Sequence, residues 1–296
     1  MKAAAFDYIR ASDIAEVCQA LNDGGPDCKI IAGGQTLVPM MAMRLARPSI
    51  IVDINAVEEL QGIGGDESSL VIKACTRQAA AERSPEVHAK APLLAKALRF
   101  VGHPQTRNRG TVGGSIANAD PVAEIPLVAL TLDAGLVAES AGGAKNIDIS
   151  GFFHGLMETS LAPDECLTEV HLPVWNGGGV IGTGFQEVSI RAGDFAIVAA
   201  AVQLVVDESG VCRRAAVALG GVAPTPLRIE ATAEALLSSD LDAETVGEAA
   251  HLAANEIDPG GDVHASAEYR RRCARVMVER AIIEARDEAL RRAANP

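Results

Sequence analysis

Two glycine pairs constrain this chain more than any other feature, because each follows an extended run and opens a short polar segment. The first lies in residues 32–37 (Ala-Gly-Gly-Gln-Thr-Leu), and the second lies in residues 111–118 (Thr-Val-Gly-Gly-Ser-Ile-Ala-Asn). Glycine tolerates positive φ and lets the main chain approach a ligand closely. Successive amides in such a turn form an anion-binding nest. The two segments therefore predict two nests that hold the phosphates of a dinucleotide from opposite sides.

The polar side chains of both segments suit such a ligand. The hydroxyl, amide and carboxylate groups are Gln35, Thr36, Thr111, Ser115, Asn118, Asp120 and Glu124. Neither turn contains lysine, so backbone amides would meet the phosphate charge, with Arg107 and Arg109 as candidate helpers just upstream. The alternatives stay open: the first turn can be a plain strand–helix connection, and the arginines can lie in a solvated loop or a salt bridge.

Composition narrows the class of protein. The chain has 296 residues, of which 48% are hydrophobic, enough for one or two substantial cores. A net charge of -13 argues against a nucleic-acid partner or an anionic membrane surface. The first residues show no apolar signal segment, and the longest apolar stretch, 195–206, is too short to span a bilayer. We therefore expect a cytoplasmic protein with no membrane insertion.

Cysteine and histidine spacing points away from metal chemistry. The six cysteines contain no CxxC pair and the six histidines no HxxxH or HExxH pattern, so we expect neither a metal nor an iron–sulfur cluster on this chain. A GxGxxG fingerprint opening a βαβ unit, a GxxxxGK[ST] loop and a GxSxG elbow are also absent. Any reaction must therefore depend on a bound cofactor.

Turn signals divide the chain into three parts. Residues 1–55 read as a β–α–β unit that contains the first glycine segment, and residues 56–176 read as a mixed α/β unit that contains the second. The run Asn-Gly-Gly-Gly at 176–179 predicts a linker. Beyond it we expect three strands (185–190, 195–206, 211–219) and three helices (228–237, 243–255, 267–292). A domain boundary is accordingly placed near residue 176.

Along these segments the chain resembles the FAD-binding medium subunit of molybdenum hydroxylases, the family of the carbon monoxide dehydrogenase flavin subunit and the xanthine dehydrogenase flavin domain. Residues 31–48 resemble the first family signature and residues 107–124 the second. Three C-terminal segments, 191–196, 220–226 and 266–271, match in the right order. The resemblance covers nearly the full length.

The resemblance implies an α+β architecture, the vanillyl-alcohol-oxidase-type (PCMH) FAD fold. Two α/β subdomains (about 1–55 and 56–176) would hold FAD non-covalently, and residues 177–296 would form a C-terminal domain with a three-stranded antiparallel sheet and helices. Relatives more often carry Ser at position 36, and some carry Lys at position 186. The cofactor-binding residues implied are Ile30, Ile31, Ala32, Gly33, Gly34, Gln35, Thr36, Leu37, Val101, Thr111, Val112, Gly113, Gly114, Ser115, Asn118, Asp120, Glu124, Leu167 and Gln186.

The function that the resemblance implies is electron relay, with no catalytic residue on this chain. A large molybdopterin subunit would oxidise the substrate, and a small subunit would carry two [2Fe–2S] clusters that pass electrons to this FAD. The flavin would then reduce NAD, a quinone or oxygen, within a dimer of heterotrimers. Three alternatives remain from the residues alone: a stand-alone FAD oxidase or dehydrogenase, a flavin-free adaptor, and a phosphate-sugar binding protein without redox chemistry.

Overall fold

The structure, a computed structural model, describes residues 2–294. The chain begins with a three-stranded parallel sheet of order β1-β3-β2, on which the first helix packs. Asp13 caps that helix by accepting a hydrogen bond from the backbone N–H of Glu16. The elements are β1 (Asp7–Arg10), α1 (Ile14–Gly24), β2 (Cys28–Ile31), α2 (Leu37–Ala42) and β3 (Ile50–Asp53). The first glycine segment therefore joins the end of β2 to α2.

A second sheet, in which all neighbouring strands are antiparallel, follows together with a layer of short helices. Its order is β4-β5-β10-β6-β7, with a separate two-stranded ribbon of β8 and β9. The strands are β4 (Ile63–Gly65), β5 (Ser69–Lys73), β6 (Gly135–Ser140), β7 (Gly143–Asp148), β8 (Phe153–Gly155), β9 (Glu158–Thr159) and β10 (Cys166–Pro173). The helices are α3 (Gln78–Arg83), α4 (Pro85–Lys90), α5 (Pro92–Ala97), α6 (Pro104–Arg109), α7 (Val112–Asn118) and α8 (Glu124–Thr131).

The third part is an antiparallel sheet covered by helices. Its strands, in the order β11-β12-β13-β14, are β11 (Val180–Ser189), β12 (Ala196–Val206), β13 (Cys212–Gly220) and β14 (Leu227–Arg228). The helices are α9 (Glu230–Leu236), α10 (Ala243–Glu256) and α11 (Ala267–Ala294). Three long strands and three helices were expected here. The two-residue β14 adds a short fourth strand at the edge, beyond the three predicted.

Strand β12 explains why the sequence shows one long apolar run at this point. All of its residues are buried, since α11 packs on β12 as well as on β11, and α5 and α8 also contact β12. A strand that is covered on both faces carries apolar side chains on both. One hydrophobic core consequently contains buried residues of the second part, such as Leu94 and Leu127, together with Phe185 and Ala201 of the third.

An ionic cluster also ties the second part to the third. The ammonium group of Lys96, in α5, donates to the backbone oxygen of Thr183 (2.5 Å) and to Oε1 of Glu284 and Oε2 of Glu288 (2.8 Å each). Both carboxylates belong to α11, and the three charged side chains are largely sheltered from solvent. The cluster therefore holds α5 against α11. Among residues 2–294 no helix has both the length and the apolar character needed to cross a membrane.

Candidate functional site

A cleft of about 970 Å³ lies where the three parts of the chain meet. Its size is within the range of small-molecule and cofactor sites. Apart from Ile54, Ala74 and Gln78, the walls come from five stretches of the sequence that are far apart along the chain. These are residues 29–37, 101–124, 161–167, 190–197 and 262–270. Both glycine segments face the cleft, as the sequence predicted.

The first glycine segment leaves a row of backbone donors available. Within residues 2–294 the hydrogen bonds give no acceptor to the amides of Gly33, Gly34, Gln35 and Thr36. Gly34 has a φ of +70°, the left-handed conformation that a nest requires. Four successive free amides beside the cleft can bind an anion. The prediction of a nest at this segment therefore has a geometric basis.

Neighbouring side chains brace this turn from behind. Nδ2 of Asn55 donates to the backbone oxygen of Ala32 at 2.7 Å. Arg77 donates through Nη2 to Oδ1 of Asn55 (2.6 Å) and through Nη1 to the backbone oxygen of Arg109. A Cβ on Gly33 would lie 2.5 Å from that same oxygen of Arg109. The turn is thus held in contact with the segment that leads into α7.

The second glycine segment differs from the expectation, because it is the first turn of α7 rather than a nest. Thr111 is the N-cap, and its Oγ1 accepts from the amide of Gly114 at 3.0 Å. The amide of Val112 donates to Thr76 O (3.0 Å), and that of Gly113 to Ala74 O (2.9 Å). The amide of Ser115 donates to Thr111 O. These four amides are therefore already paired with protein acceptors and do not form a nest for a ligand.

The glycines of α7 have a packing role. A Cβ on Gly113 would lie 2.4 Å from Cβ and 2.6 Å from Cα of Ala74, and a Cβ on Gly114 would lie 2.5 Å from Oγ1 of Thr111. The first glycine lets the helix lie directly on the end of β5. The second leaves room for the capping hydroxyl. Packing within the protein is therefore enough to exclude larger residues at both positions.

Acidic side chains are concentrated near the start of α8. Glu124 is 8% exposed, and burial, followed by the negative charge of Asp120, raises the pKa of Glu124 to about 7. Burial also raises the pKa of Asp120. Burial and the charge of Glu124 raise the pKa of Glu187, in β11, to about 8. Burial therefore favours the protonated form of all three carboxyl groups.

The structure brings together all but two of the residues predicted to bind the cofactor. The two that do not line the cleft are Val112, which is 1% exposed and packs in the core, and Gln186. Nε2 of Gln186 donates to Oε2 of Glu284 at 2.9 Å, and this bond belongs to the cluster around Lys96. The side chains of Gln186 and Glu187 lie on opposite faces of β11.

Several lining residues were missed from the sequence. They come from α3, α6 and the C-terminal part, and they include Gln78, Thr106, Ile190, Arg191, Asp194, Phe195, Asp262, His264 and Arg270. Segments 191–196 and 266–271 resemble family segments, and this resemblance is the sequence signal for the lining residues in them. Gln78 carried no such signal, because it reaches the cleft only through the packing of α3.

Arg270 closes the C-terminal side of the cleft. It is 8% exposed, and its Nη2 donates to Oδ2 of Asp262 at 2.6 Å. Its Nη1 donates to the backbone oxygens of Ile197 and Gly221. A single guanidinium therefore fixes the loop that holds Asp262 against the start of β12 and the turn after β13.

The two arginines before α7 differ in role. Nε of Arg107 donates to Oε2 of Glu82 at 2.8 Å, and its Nη1 donates to the backbone oxygens of Val101 and Gly102. Arg107 therefore forms a salt bridge, which was the alternative to phosphate binding for this residue. Arg109 lines a smaller cavity of about 370 Å³ on the other side of the first turn. Its side chain forms no ion pair with the residues that the structure describes.

Comparison with known proteins agrees with this architecture. The family model described as the FAD binding domain in molybdopterin dehydrogenase matches residues 4–175, and the model described as the CO dehydrogenase flavoprotein C-terminal domain matches residues 183–285. The chain belongs to this family of FAD-binding subunits of molybdenum-containing oxidoreductases. The resemblance inferred from the sequence motifs is thereby confirmed, as is the predicted fold class.

Individual relatives cover almost the whole chain. The chain is 40% identical to the 6-hydroxypseudooxynicotine dehydrogenase complex subunit alpha of Paenarthrobacter nicotinovorans, over 96% of each chain. It is 36% identical to the carbon monoxide dehydrogenase medium chain of Hydrogenophaga pseudoflava, over 94% of this chain and 96% of that one. A crystal structure of quinoline 2-oxidoreductase from Pseudomonas putida 86 matches with a TM-score of 0.93 at 35% identity, covering 98% of this chain and 100% of that one.

Proposed function

We propose that this chain binds one FAD in the cleft and relays electrons from a cluster-bearing partner subunit to an external acceptor. The observation that carries the proposal is the row of four free amides at Gly33–Thr36, which faces a cofactor-sized cleft in a chain of this family. Free backbone donors at a left-handed turn favour a diphosphate over a neutral ligand. The residues present therefore fit FAD.

Different groups of the chain would bind different parts of FAD. We propose that the amides of the first turn hold the pyrophosphate, while Ser115 and Asn118 contact the cofactor through their side chains, since the α7 amides are taken. Val101 and Leu167 are buried and line the cleft with apolar surface suited to a ring. When bound, FAD would supply the redox chemistry, since it accepts and donates electrons singly or in pairs.

The remaining residues control the surroundings of the cofactor. Asp120 and Glu124 offer carboxyl groups at the cleft wall, and the raised pKa of Glu124 lets it donate as well as accept a hydrogen bond at neutral pH. Ile190 and Phe195 are 62% and 73% exposed at the cleft, so they can cover its mouth and reduce the access of water. None of these groups needs to act on the primary substrate.

The names of the relatives support a multi-subunit complex. Those names describe medium chains and a subunit of a dehydrogenase complex. We propose a large molybdopterin subunit, a small [2Fe–2S] subunit and a dimer of such heterotrimers. The six free cysteines suit the reducing conditions of the cytoplasm, where we place the complex. We further propose that residues 1–176 form the FAD-binding domain and 177–296 the C-terminal domain, because the two family models fall on either side of this boundary.

The proposal can be tested on the complex isolated through an affinity tag on this chain. We expect two further polypeptides, one with molybdenum and one with [2Fe–2S] clusters, and about one FAD per copy of this chain. In a stopped-flow experiment, chemical reduction of the clusters should be followed by bleaching of the flavin absorption. A chain that purifies alone with a tightly bound flavin and reacts directly with small substrates would support a stand-alone enzyme instead.

A further inference from the structure

Gln78 occupies a central position between the two glycine segments. It is the first residue of α3, it is 6% exposed, and it lines the cleft. Its backbone N–H donates to the oxygen of Gly110 at 2.9 Å. Gly110 immediately precedes the cap of α7, and the first turn packs against this same stretch through Gly33. Gln78 therefore lies next to the place where the two glycine segments contact each other.

The side-chain amide of Gln78 is poorly paired. Its Nε2 donates to the backbone oxygen of Thr111 at 3.4 Å, a long hydrogen bond, and its Oε1 is fully buried without any partner. A Cβ on Gly110 would lie 2.5 Å from Oε1, so a glycine there makes the room that this amide occupies. A buried acceptor without a donor costs stability, and an apolar side chain of the same length would avoid that cost.

We propose that Gln78 is an FAD ligand whose Oε1 accepts a hydrogen bond from a sugar hydroxyl of the bound cofactor. This proposal rests on the function proposed above. Oε1 is closed off from the cleft in the present conformation, so contact with the ligand requires a change in the side-chain torsions, of which the last is soft. The unpaired oxygen then gains its partner only when the cofactor is bound.

The chemistry of the Gln78 amide and of FAD indicates a hydroxyl group as the hydrogen-bond donor. An amide oxygen only accepts hydrogen bonds, and the phosphate oxygens at neutral pH also only accept. FAD carries hydroxyl donors on both sides of its pyrophosphate, on the ribityl chain and on the ribose. A side chain beside the phosphate-binding turn therefore lies next to one of these sugars, and the two can be told apart by experiment.

The test compares Gln78→Met with the matched control Gln19→Met. Methionine keeps the length of the side chain and removes the acceptor. Gln19 is exposed and its Nε2 donates to Oδ1 of Asp23. We expect Gln78→Met to raise the Kd for FAD about tenfold, the effect of losing one hydrogen bond to a buried group. The Tm of the cofactor-free variant should be equal to or above that of the wild type, because the orphaned oxygen is gone.

This combination separates a ligand from a structural residue, since a structural role would lower the Tm and the affinity together. Gln78→Leu provides a second apolar variant in case methionine packs poorly. Competition with riboflavin and with ADP identifies the sugar: the variant should lose affinity for riboflavin if the ribityl chain is the donor and for ADP if the ribose is. Unchanged FAD affinity in both variants, or a parallel loss of Tm and affinity, would overturn the proposal. A wild-type chain that binds no FAD would instead overturn the proposed function.

Discussion

Gly33→Ala is the most informative single substitution, because it tests the contact that positions the free amides. The added Cβ would lie 2.5 Å from the oxygen of Arg109 and 2.7 Å from Cα of Gly110. Both are backbone atoms, so movement of a flexible side chain cannot relieve the clash. The first turn must move away from the segment before α7. Overpacking of this kind costs about 1–3 kcal/mol, which corresponds to roughly a 5- to 150-fold rise in the Kd for FAD if the displaced amides carry the loss.

The assay is a visible-absorption titration with FAD, accompanied by urea unfolding of the cofactor-free chain. Gly247→Ala is the matched control, since Gly247 lies inside α10 and its added Cβ meets no atom within 4 Å. That variant should bind FAD as the wild type does and gain about 0.5–1 kcal/mol of stability, because alanine suits a helix better than glycine. Wild-type affinity in Gly33→Ala would refute the claim that this contact positions the phosphate-binding amides.

Three further outcomes are expected. Lys96→Met leaves Glu284 without its cation and Glu288 with Arg292 alone, and it should lower the free energy of unfolding by about 2–3 kcal/mol in urea; a loss below about 1 kcal/mol would contradict the role of the cluster. Thr111→Ala removes the cap of α7 and should cost about 0.5–2 kcal/mol, with Thr111→Ser restoring most of it. The raised pKa values of Glu124 (about 7) and Glu187 (about 8) mean that the folded chain holds protons that the unfolded chain releases near pH 4.5. Stability of the cofactor-free chain should therefore fall as the pH rises from about 5 to 8. Glu124→Gln should flatten that fall in unfolding curves taken at each pH, and equal slopes in the two proteins would contradict the assignment.

The sequence was most informative where local chemistry decides the structure. The turn after β2 and the long helices at 243–256 and 267–294 lie close to their predicted positions, because turn residues, caps and apolar spacing act over short distances. The apolar run at 195–206 was correctly read as a strand. Its burial on both faces follows from packing against α11 and α8, which lie elsewhere in the chain.

The second glycine segment shows where such reasoning fails. A Gly-Gly pair signals a turn, but here the amides of Val112 and Gly113 find acceptors at Thr76 and Ala74, more than thirty residues earlier. The sequence around residues 111–118 contains no signal for these distant acceptors. Alternation along β11 also does not tell which of Gln186 and Glu187 faces α11, since both are polar. The two-residue β14 is too short to leave a pattern in the sequence.

The measurement that tests the central claim most directly is a visible-absorption titration of the purified chain with FAD, followed by reduction with dithionite. We predict saturable binding near one FAD per chain, a flavin spectrum that bleaches on reduction, and weaker binding for Gly33→Ala beside an unchanged titration curve for Gly247→Ala. A folded chain that shows no saturable binding, or that binds FAD equally well after Gly33→Ala, would contradict the assignment of this cleft and its first turn as the cofactor site.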